Sequence, residues 1–174
     1  MALGVCMLFD ARGEHSLLSL WDRLEDAGVP TLRSHTHRRH SAHLSYTVLV
    51  DWDLAAVRDA VAALEDRGPV RIEFQALGTF PRGRICLVPA VPPDLMQRQQ
   101  AVNQAVIEVG ATVHRHYRTG GWLPHCSLAP RARLEQLPGV IAAVNDVLPL
   151  HVTADRAALI DSATGEQWPL PHVP

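Results

Sequence analysis

The chain carries the pattern His-x-Ser twice, each time at the head of a short apolar run: His43-Leu44-Ser45 opens residues 43–50, and His125-Cys126-Ser127 opens residues 125–129. Apolar runs of this length predict β-strands. Because residues i and i+2 of a strand point to the same side, the histidine and the serine of each pattern share one face. The middle residue faces the opposite side. The sequence therefore predicts two strands that each present an imidazole beside a hydroxyl.

The segments around these two strands repeat with a nearly constant spacing. Four landmarks of the first half recur in the second: Cys6 and Cys86 differ by 80 positions, His43 and His125 by 82, Leu54 and Leu134 by 80, and Val70 and Leu150 by 80. Such a constant offset predicts an internal duplication. The tripeptide alone is weak evidence, because ten histidines in this composition give about one His-x-Ser/Thr match by chance. Its place in both repeats is what makes the pair informative.

Each half is expected to run strand, helix, loop, strand, helix, strand. We expect strands over residues 3–9, 43–50, 70–77, 84–90, 125–129 and 150–160, and a last short segment at Trp168. We expect helices over residues 14–27, 54–64, 92–113 and 133–147, the last of them broken or starting late at Pro138-Gly139. This pattern predicts an α+β fold: a bilobal, pseudo-twofold duplication in which two antiparallel-type sheets line a central cleft and the helices pack outside. The length fits a single domain over residues 1–174, with lobe one at about 1–80 and lobe two at about 81–174.

The composition excludes several kinds of protein. A formal charge of −2 is too small for a protein that coats nucleic acid. All 16 cationic side chains are arginine, which excludes a lysine–nucleotide intermediate, a Schiff base and a P-loop lysine. No apolar run is long enough for a membrane span or for the core of a signal peptide, so we expect a cytoplasmic protein. Cys6, Cys86 and Cys126 lie far apart in apolar surroundings and are expected to be reduced core residues.

Two imidazoles that face one cleft suit the cleavage of a phosphodiester. This reaction needs a base that activates the attacking hydroxyl or water and an acid that protonates the leaving oxygen. Histidines, with an ordinary pKa near 6.5, supply one neutral and one protonated ring at working pH. The hydroxyls of Ser45 and Ser127 can donate hydrogen bonds to the non-bridging phosphate oxygens. The scheme requires no metal and no other cofactor.

With its paired motifs, the chain resembles the two-histidine phosphoesterase superfamily, which includes bacterial 2'-5' RNA ligases and RNA 2',3'-cyclic phosphodiesterases. The signature of that superfamily is a pair of His-x-Thr/Ser motifs about eighty residues apart, and the stretch 124–129 is the closer match here. Residues 78–84, Gly-Thr-Phe-Pro-Arg-Gly-Arg, resemble the segment between the lobes in the ligase branch. Three positions depart from the pattern: both motifs carry Ser where Thr is commoner, Ala42 replaces a frequent proline, and Pro130 precedes Arg131 where an arginine often follows directly.

The resemblance implies a metal-independent phosphodiesterase. It would act by paired-histidine acid–base catalysis on 2',3'-cyclic phosphates of RNA or nucleotides, or on 2'-5' linkages, with reversible 2'-5' RNA ligation as a further reaction. The implied partners are RNA termini or small cyclic nucleotides, with no membrane and no protein partner. The alternative is a non-catalytic module that binds RNA or nucleotides in the same cleft.

The candidate site residues fall into two groups. The predicted catalytic residues are His43, His125, Ser45 and Ser127. The predicted substrate-binding residues are arginines for phosphate and aromatics for stacking on a base: Arg84, Arg118, Arg131, Tyr117 and Trp122. For each arginine the alternative is a solvated surface residue, and for each aromatic it is a role in pinning the two lobes together.

The remaining histidines leave one further alternative, a metal site. His35, His37 and His40 lie in one polar segment, and His114 and His116 follow a predicted helix. No acidic residue or cysteine stands at a helpful spacing, so solvated loops are the preferred interpretation and no metal is expected. His151-Val152-Thr153 also matches the motif, but it has no counterpart in the first half and is interpreted as an ordinary strand residue.

Overall fold

The computed structural model describes residues 2–174. Eight strands and four α-helices follow one another along the chain: β1 Leu3–Phe9, α1 Ala11–Asp26, β2 His43–Asp51, α2 Leu54–Ala62, β3 Val70–Phe80, β4 Arg84–Pro89, α3 Pro93–Glu108, β5 Thr112–Val113, β6 Cys126–Ala129, α4 Leu137–Asn145, β7 Leu150–Asp161 and β8 Gln167–Pro169. Short 3₁₀ turns occupy Arg115–Tyr117 and Leu134–Gln136. No helix in this part of the chain is long and apolar enough to cross a membrane.

The order of the strands displays the duplication. Six strands form the antiparallel series β2-β1-β7-β3-β4-β6, with β5 extending it beyond β2 and β8 pairing with β7. Strands β1, β2 and β3 of the first half correspond to β4, β6 and β7 of the second half. When each strand is replaced by its counterpart, the series reads the same from the opposite end. Each half therefore places its last long strand beside the first strand of the other half. The α+β class and the antiparallel pairing are confirmed, and the two expected sheets are the two arms of one continuous sheet.

The sheet bends so that its two motif strands meet. Although β2 and β6 lie near opposite ends of the series, they contact each other across the cleft. The helices pack on the outer face, where α1 covers β1 and β7 and α3 covers β2 and β5. In α1 the residues that face the sheet recur with helical spacing and are fully buried: Leu17, Leu20, Trp21 and Leu24. Burying each such side chain contributes about 1.5–3 kcal/mol.

The third helix ends earlier in the structure than the sequence predicts. We expected it to reach about residue 113, but α3 ends at Glu108. Gly110 adopts a left-handed φ of 86°, and the bonds Gly110 N→Ile107 O and Ala111 N→Val106 O close a Schellman motif. Thr112–Val113 then pairs with β2 as a short strand. Helix α1 ends in the same motif at Gly28, so the two halves share this helix stop.

The first turns of two other helices explain where those helices begin. Helix α1 begins at Ala11 rather than near residue 14, because the Asp10 carboxylate accepts a hydrogen bond from Gly13 N and caps the helix. The segment 133–147 divides near Pro138 as expected, into the 3₁₀ turn and α4, with Pro138 in the first turn of α4. Proline is tolerated there because that N–H has no partner inside the helix.

Candidate active site

The two predicted His/Ser pairs lie where β2 and β6 approach each other, and their sheet neighbours match. Ser45 stands opposite Cys6 of β1, and Ser127 stands opposite Cys86 of β4. In each half the cysteine lies on the first strand and the serine on the motif strand. The 80-residue offset between the cysteines and the 82-residue offset between the serines thus describe one structural position built twice.

The backbone holds both imidazoles in the same way. His43 Nδ1 lies 2.8 Å from the Ser41 carbonyl oxygen, and His125 Nδ1 lies 2.8 Å from the Leu123 carbonyl oxygen. A carbonyl only accepts, so each Nδ1 carries the proton and donates it. The other nitrogen, Nε2, is then left for the cleft, as an acceptor when the ring is neutral and as a donor when it is protonated. Two rings restrained in this manner are suited to move protons at Nε2.

A tryptophan supports the backbone of each motif serine. Trp122 Nε1 donates to the Ser45 carbonyl at 3.1 Å, and Trp21 Nε1 donates to the Ser127 carbonyl at 3.3 Å. Both indoles come from the other half of the chain and are buried. Trp122 was predicted to stack on a base. Its burial and its bond to β2 favour the alternative, in which it pins the lobes together.

The electrostatic environments of the two histidines differ. Desolvation by burial lowers the pKa of His43, but the nearby Cys6 sulfur and the Ser41 carbonyl outweigh it and raise that pKa to about 9. Desolvation likewise lowers the pKa of His125; the Leu123 carbonyl opposes this, while the charges of His43 and Arg84 reinforce it. Because the charge of His43 acts on His125, the two rings share one cleft. Near neutral pH the site therefore favours a protonated His43 and a neutral His125.

Tyr117 lies between the two pairs. Burial raises the pKa of its phenol, which neighbours Cys6 and Ser45 from the first half and Arg84 from the second. Its ring centroid is 6.4 Å from that of His125. Two buried amides of α3 hold the Tyr117 carbonyl, namely Gln99 Nε2 at 2.8 Å and Asn103 Nδ2 at 2.7 Å. Helix α3 thus fixes the position of this ring in the cleft.

The three predicted phosphate-binding arginines occupy different places. Arg84 begins β4 and acts electrostatically on both His125 and Tyr117. The preceding turn depends on Gly83, which has a φ of 72° and lies against the Ala132 backbone, where no side chain fits. Arg118 lines a separate shallow cavity with Asn103 and Thr119. Arg131 is exposed, and none of the contacts described within residues 2–174 joins it to either histidine.

Phe80 and Cys6 belong to the site but were not predicted from the sequence. The Phe80 ring stands edge-on to His125, with centroids 4.9 Å apart and planes at 65°. Phe80 lies within residues 78–84, which resemble the segment between the lobes in the ligase branch. The sequence therefore carried a signal that could have located Phe80 in the site. The Cys6 sulfur lies 3.4 Å from Ser45 Oγ. Its predicted state is nevertheless confirmed, since all three cysteines are buried and free.

The other histidines form no metal site in the described part of the chain. No group of three or more His, Cys, Asp or Glu side chains is arranged there to hold an ion. His37 and His40 pack with ring centroids 4.1 Å apart, and burial together with the neighbouring histidines lowers the pKa of His40 to about 4. His151 is exposed beside Glu73, at the wall of a 740 Å³ cavity that includes none of the four motif residues. That cavity lies apart from the two histidines.

Comparison with protein families identifies the chain. The sequence profile described as the 2'-5' RNA ligase superfamily matches residues 14–166, which is most of the chain. The chain belongs to the 2'-5' RNA ligase superfamily. The predicted relationship to the two-histidine phosphoesterases is thereby confirmed. Membership of this superfamily supports an enzyme that acts on phosphoesters. No curated protein sequence matches the chain significantly.

Solved structures share the fold of this superfamily member. Escherichia coli LigT in its apo form is 14% identical, with a TM-score of 0.60 and coverage of 97% of this chain and 94% of the other. A phosphoesterase crystal structure is 14% identical, with a TM-score of 0.59 and the same coverages, 97% and 94%. Kluyveromyces marxianus Usb1 with uridine monophosphate is 14% identical, with a TM-score of 0.55 and coverages of 97% and 98%. At these identities the likeness concerns the fold alone.

Proposed function

We propose that the protein is a metal-independent phosphodiesterase that opens 2',3'-cyclic phosphates of nucleotides and RNA ends and cleaves 2'-5' linkages. One observation carries the proposal. Two imidazoles are held identically through Nδ1, at matching places of a duplicated fold, while their pKa values are displaced in opposite directions. Pairs of titratable groups displaced in this way mark the acid and the base of a reaction. His43 is the acid and His125 the base.

The reaction transfers one proton at each histidine. Neutral His125 removes a proton from water through Nε2 while the water oxygen forms a bond to phosphorus. The bond from phosphorus to one ribose oxygen breaks, and protonated His43 donates its Nε2 proton to that oxygen. The product is a ring-opened phosphomonoester, and proton exchange with solvent restores both rings. With the 5'-hydroxyl of an RNA in place of water, the same steps join two RNA ends, which is the ligation reaction.

Neighbouring side chains supply stabilisation and binding. The hydroxyls of Ser45 and Ser127 donate to the non-bridging oxygens, where charge increases in the transition state. Arg84 adds a positive charge on the His125 side, and Tyr117 offers an aromatic face for a base. The small net charge of the chain suits a terminus or a mononucleotide better than a long RNA track. Uridine monophosphate in the related Usb1 structure is a ligand of this size. We expect the enzyme to act in the cytoplasm.

The test is an assay in excess EDTA with three substrates: 2',3'-cyclic mononucleotides, an RNA with a cyclic-phosphate end, and a 2'-5' dinucleotide. Phosphorus NMR of the products identifies which ribose oxygen keeps the phosphate. The expected result is turnover by the wild type and a loss of at least about a hundredfold in the His43→Ala/His125→Ala double variant. Absence of turnover on all three substrates would overturn the proposal. Nucleotide binding without turnover would then favour the non-catalytic binding module.

A further inference from the structure

Cys6 is a buried nucleophilic group that the proposed reaction does not use. It lies in the middle of β1 with only 1% of its surface exposed, directly opposite Ser45 in the sheet. The next residue of β1 on the same face, Leu8, stands opposite His43. The cysteine therefore lies beside the motif pair of the first half, on the face of the sheet that forms the cleft.

The contacts of the sulfur are with the site rather than with the core. Sγ lies 3.4 Å from Ser45 Oγ and close enough to His43 to act on its charge. A side chain at Gly4 would come within 2.8 Å of the sulfur, so the space that Sγ occupies depends on that glycine. Tyr117 also neighbours it. The sulfur thus lies beside Ser45 and His43.

Cys86 provides an internal comparison, because it occupies the equivalent position opposite Ser127. Its thiol donates to the Gly78 carbonyl at 3.6 Å, so its hydrogen-bonding capacity is used by the backbone. Burial raises the pKa of this thiol to about 11. Cys86 is absent from the groups that act on His125. Two cysteines at matching positions therefore have different hydrogen-bond partners, the Ser45 hydroxyl for Cys6 and the Gly78 carbonyl for Cys86.

We propose that Cys6 is a positioning residue, whose sulfur orients the Ser45 hydroxyl and the neighbouring His43 imidazole, whereas Cys86 is a structural residue bound to the backbone of β3. The inference rests on the proposed function, in which His43 is the acid. A sulfur beside an imidazole can accept a hydrogen bond from the protonated ring, and this bond favours the protonated form. A fixed Ser45 hydroxyl is then held ready for the phosphate oxygen.

The other groups near His43 act against protonation or are neutral. His40 approaches from the preceding loop and His125 from the second half, and any positive charge on either ring disfavours an imidazolium at His43. Cys126 lies against the His43 backbone with its own pKa raised by burial, so its thiol stays neutral. The Ser41 carbonyl favours the protonated ring equally in all the variants below. Cys6 is therefore the side chain whose removal changes the balance.

The experiment is an NMR titration of the imidazole nitrogens, with His43 and His125 assigned from His43→Asn and His125→Asn variants. It compares the wild type with Cys6→Ala, Cys6→Ser and the matched control Cys86→Ala. We expect the His43 midpoint to fall by about one pH unit or more in Cys6→Ala and by less in Cys6→Ser. The His125 midpoint should not fall in either. Cys86→Ala should leave the His43 midpoint where it is in the wild type.

The inference is overturned if His43 titrates alike in the wild type and Cys6→Ala, or if Cys86→Ala moves it as far. Thermal melts identify a variant that fails to fold, and Cys6→Ser, which keeps a polar group, then decides the question. Because the titration requires no turnover, the two proposals can fail separately. If the wild type is inactive but Cys6→Ala shifts the His43 midpoint, only the proposed reaction is contradicted. If the wild type is active but Cys6→Ala leaves the His43 midpoint unchanged, only the role of Cys6 is contradicted.

Discussion

The two halves of the site share a backbone and differ in side chains. In both, a carbonyl two residues upstream holds the histidine, and a tryptophan from the other half holds the serine carbonyl. The neighbours of the two rings differ. The Cys6 sulfur lies beside His43, whereas Phe80 packs against His125 and the charge of Arg84 acts on it. Duplication accounts for matched geometry, and the later divergence of neighbours accounts for opposite protonation. An acid and a base can thus arise from one ancestral strand.

Removal of either imidazole should have the largest effect. We expect His43→Ala and His125→Ala each to reduce kcat by about a hundredfold to ten-thousandfold, the usual contribution of a general acid or base. The double variant should lose little more than the worse single variant, because the two rings act as a unit. Steady-state kinetics on a 2',3'-cyclic mononucleotide measures all three.

The matched control for these variants is His151→Ala. This variant removes His151, the histidine of the third His-x-Ser/Thr match, and the His151 side chain is 71% exposed. We expect it to retain wild-type activity. A loss in His151→Ala as large as in the motif variants would mean that the shared geometry of the two halves does not determine catalysis.

The serines should come next. Ser45→Ala and Ser127→Ala each remove a donor to the phosphate, and loss of one such donor costs up to about a hundredfold to a thousandfold in kcat. If the halves are equivalent in this respect, the two losses should agree and KM should change less than kcat. A wild-type rate in either variant, measured in the same assay, would restrict oxyanion stabilisation to the other half.

Arg84→Gln tests the charge asymmetry and should have a smaller effect. Arg84 lowers the pKa of His125, so its removal should let that pKa rise and shift the acidic limb of the pH–rate profile to higher pH. The charge-matched control is Arg58→Gln on the exposed side of α2, which should leave the limb in place. An unmoved acidic limb in Arg84→Gln would show that the arginine does not act on the proposed base.

The tryptophan supports concern stability and should show the smallest effect on chemistry. Trp122→Phe and Trp21→Phe each leave a buried carbonyl without its donor, a loss of about 1–3 kcal/mol in the free energy of unfolding. Urea denaturation measures it. Trp52→Phe, which removes a partly buried indole packed against the core, is the comparison. A loss no larger than that of Trp52→Phe would argue against the supporting bonds.

Local patterns predicted most of the fold. The apolar runs located six of the eight strands to within a few residues, because alternation and turn residues are local properties. Strand β8 lies where only a short segment at Trp168 was expected. The strand after α3 was missed, since an apolar helix face continues through residues 109–113 and only the left-handed Gly110 interrupts it. The exchange of the last long strands between the halves is a matter of long-range pairing, on which the sequence pattern is silent.

The sequence predicted the motif residues of the candidate site, but not the opposite pKa displacements of its two histidines. The repeated His-x-Ser spacing located the four polar groups, since strand periodicity alone places them on one face. Cys6 was interpreted as a core residue because burial and apolar neighbours are what the sequence displays around it. Its contact with Ser45 depends on the register of β1 against β2, and the contact of Phe80 with His125 depends on how far the sheet bends. Neither is a local property.

The pH dependence of kcat/KM for a 2',3'-cyclic mononucleotide in EDTA tests the central claim most directly, because it reports the free enzyme's acid and base. His125 must be neutral, so the rate should rise as pH passes its lowered pKa, below the ordinary 6.5. His43 must be protonated, so the rate should fall as pH passes about 9. A bell-shaped profile between these two limits supports one acid and one base, each on one copy of the duplicated motif strand. A rate that does not fall at high pH, or that falls alike in His43→Ala, would contradict it.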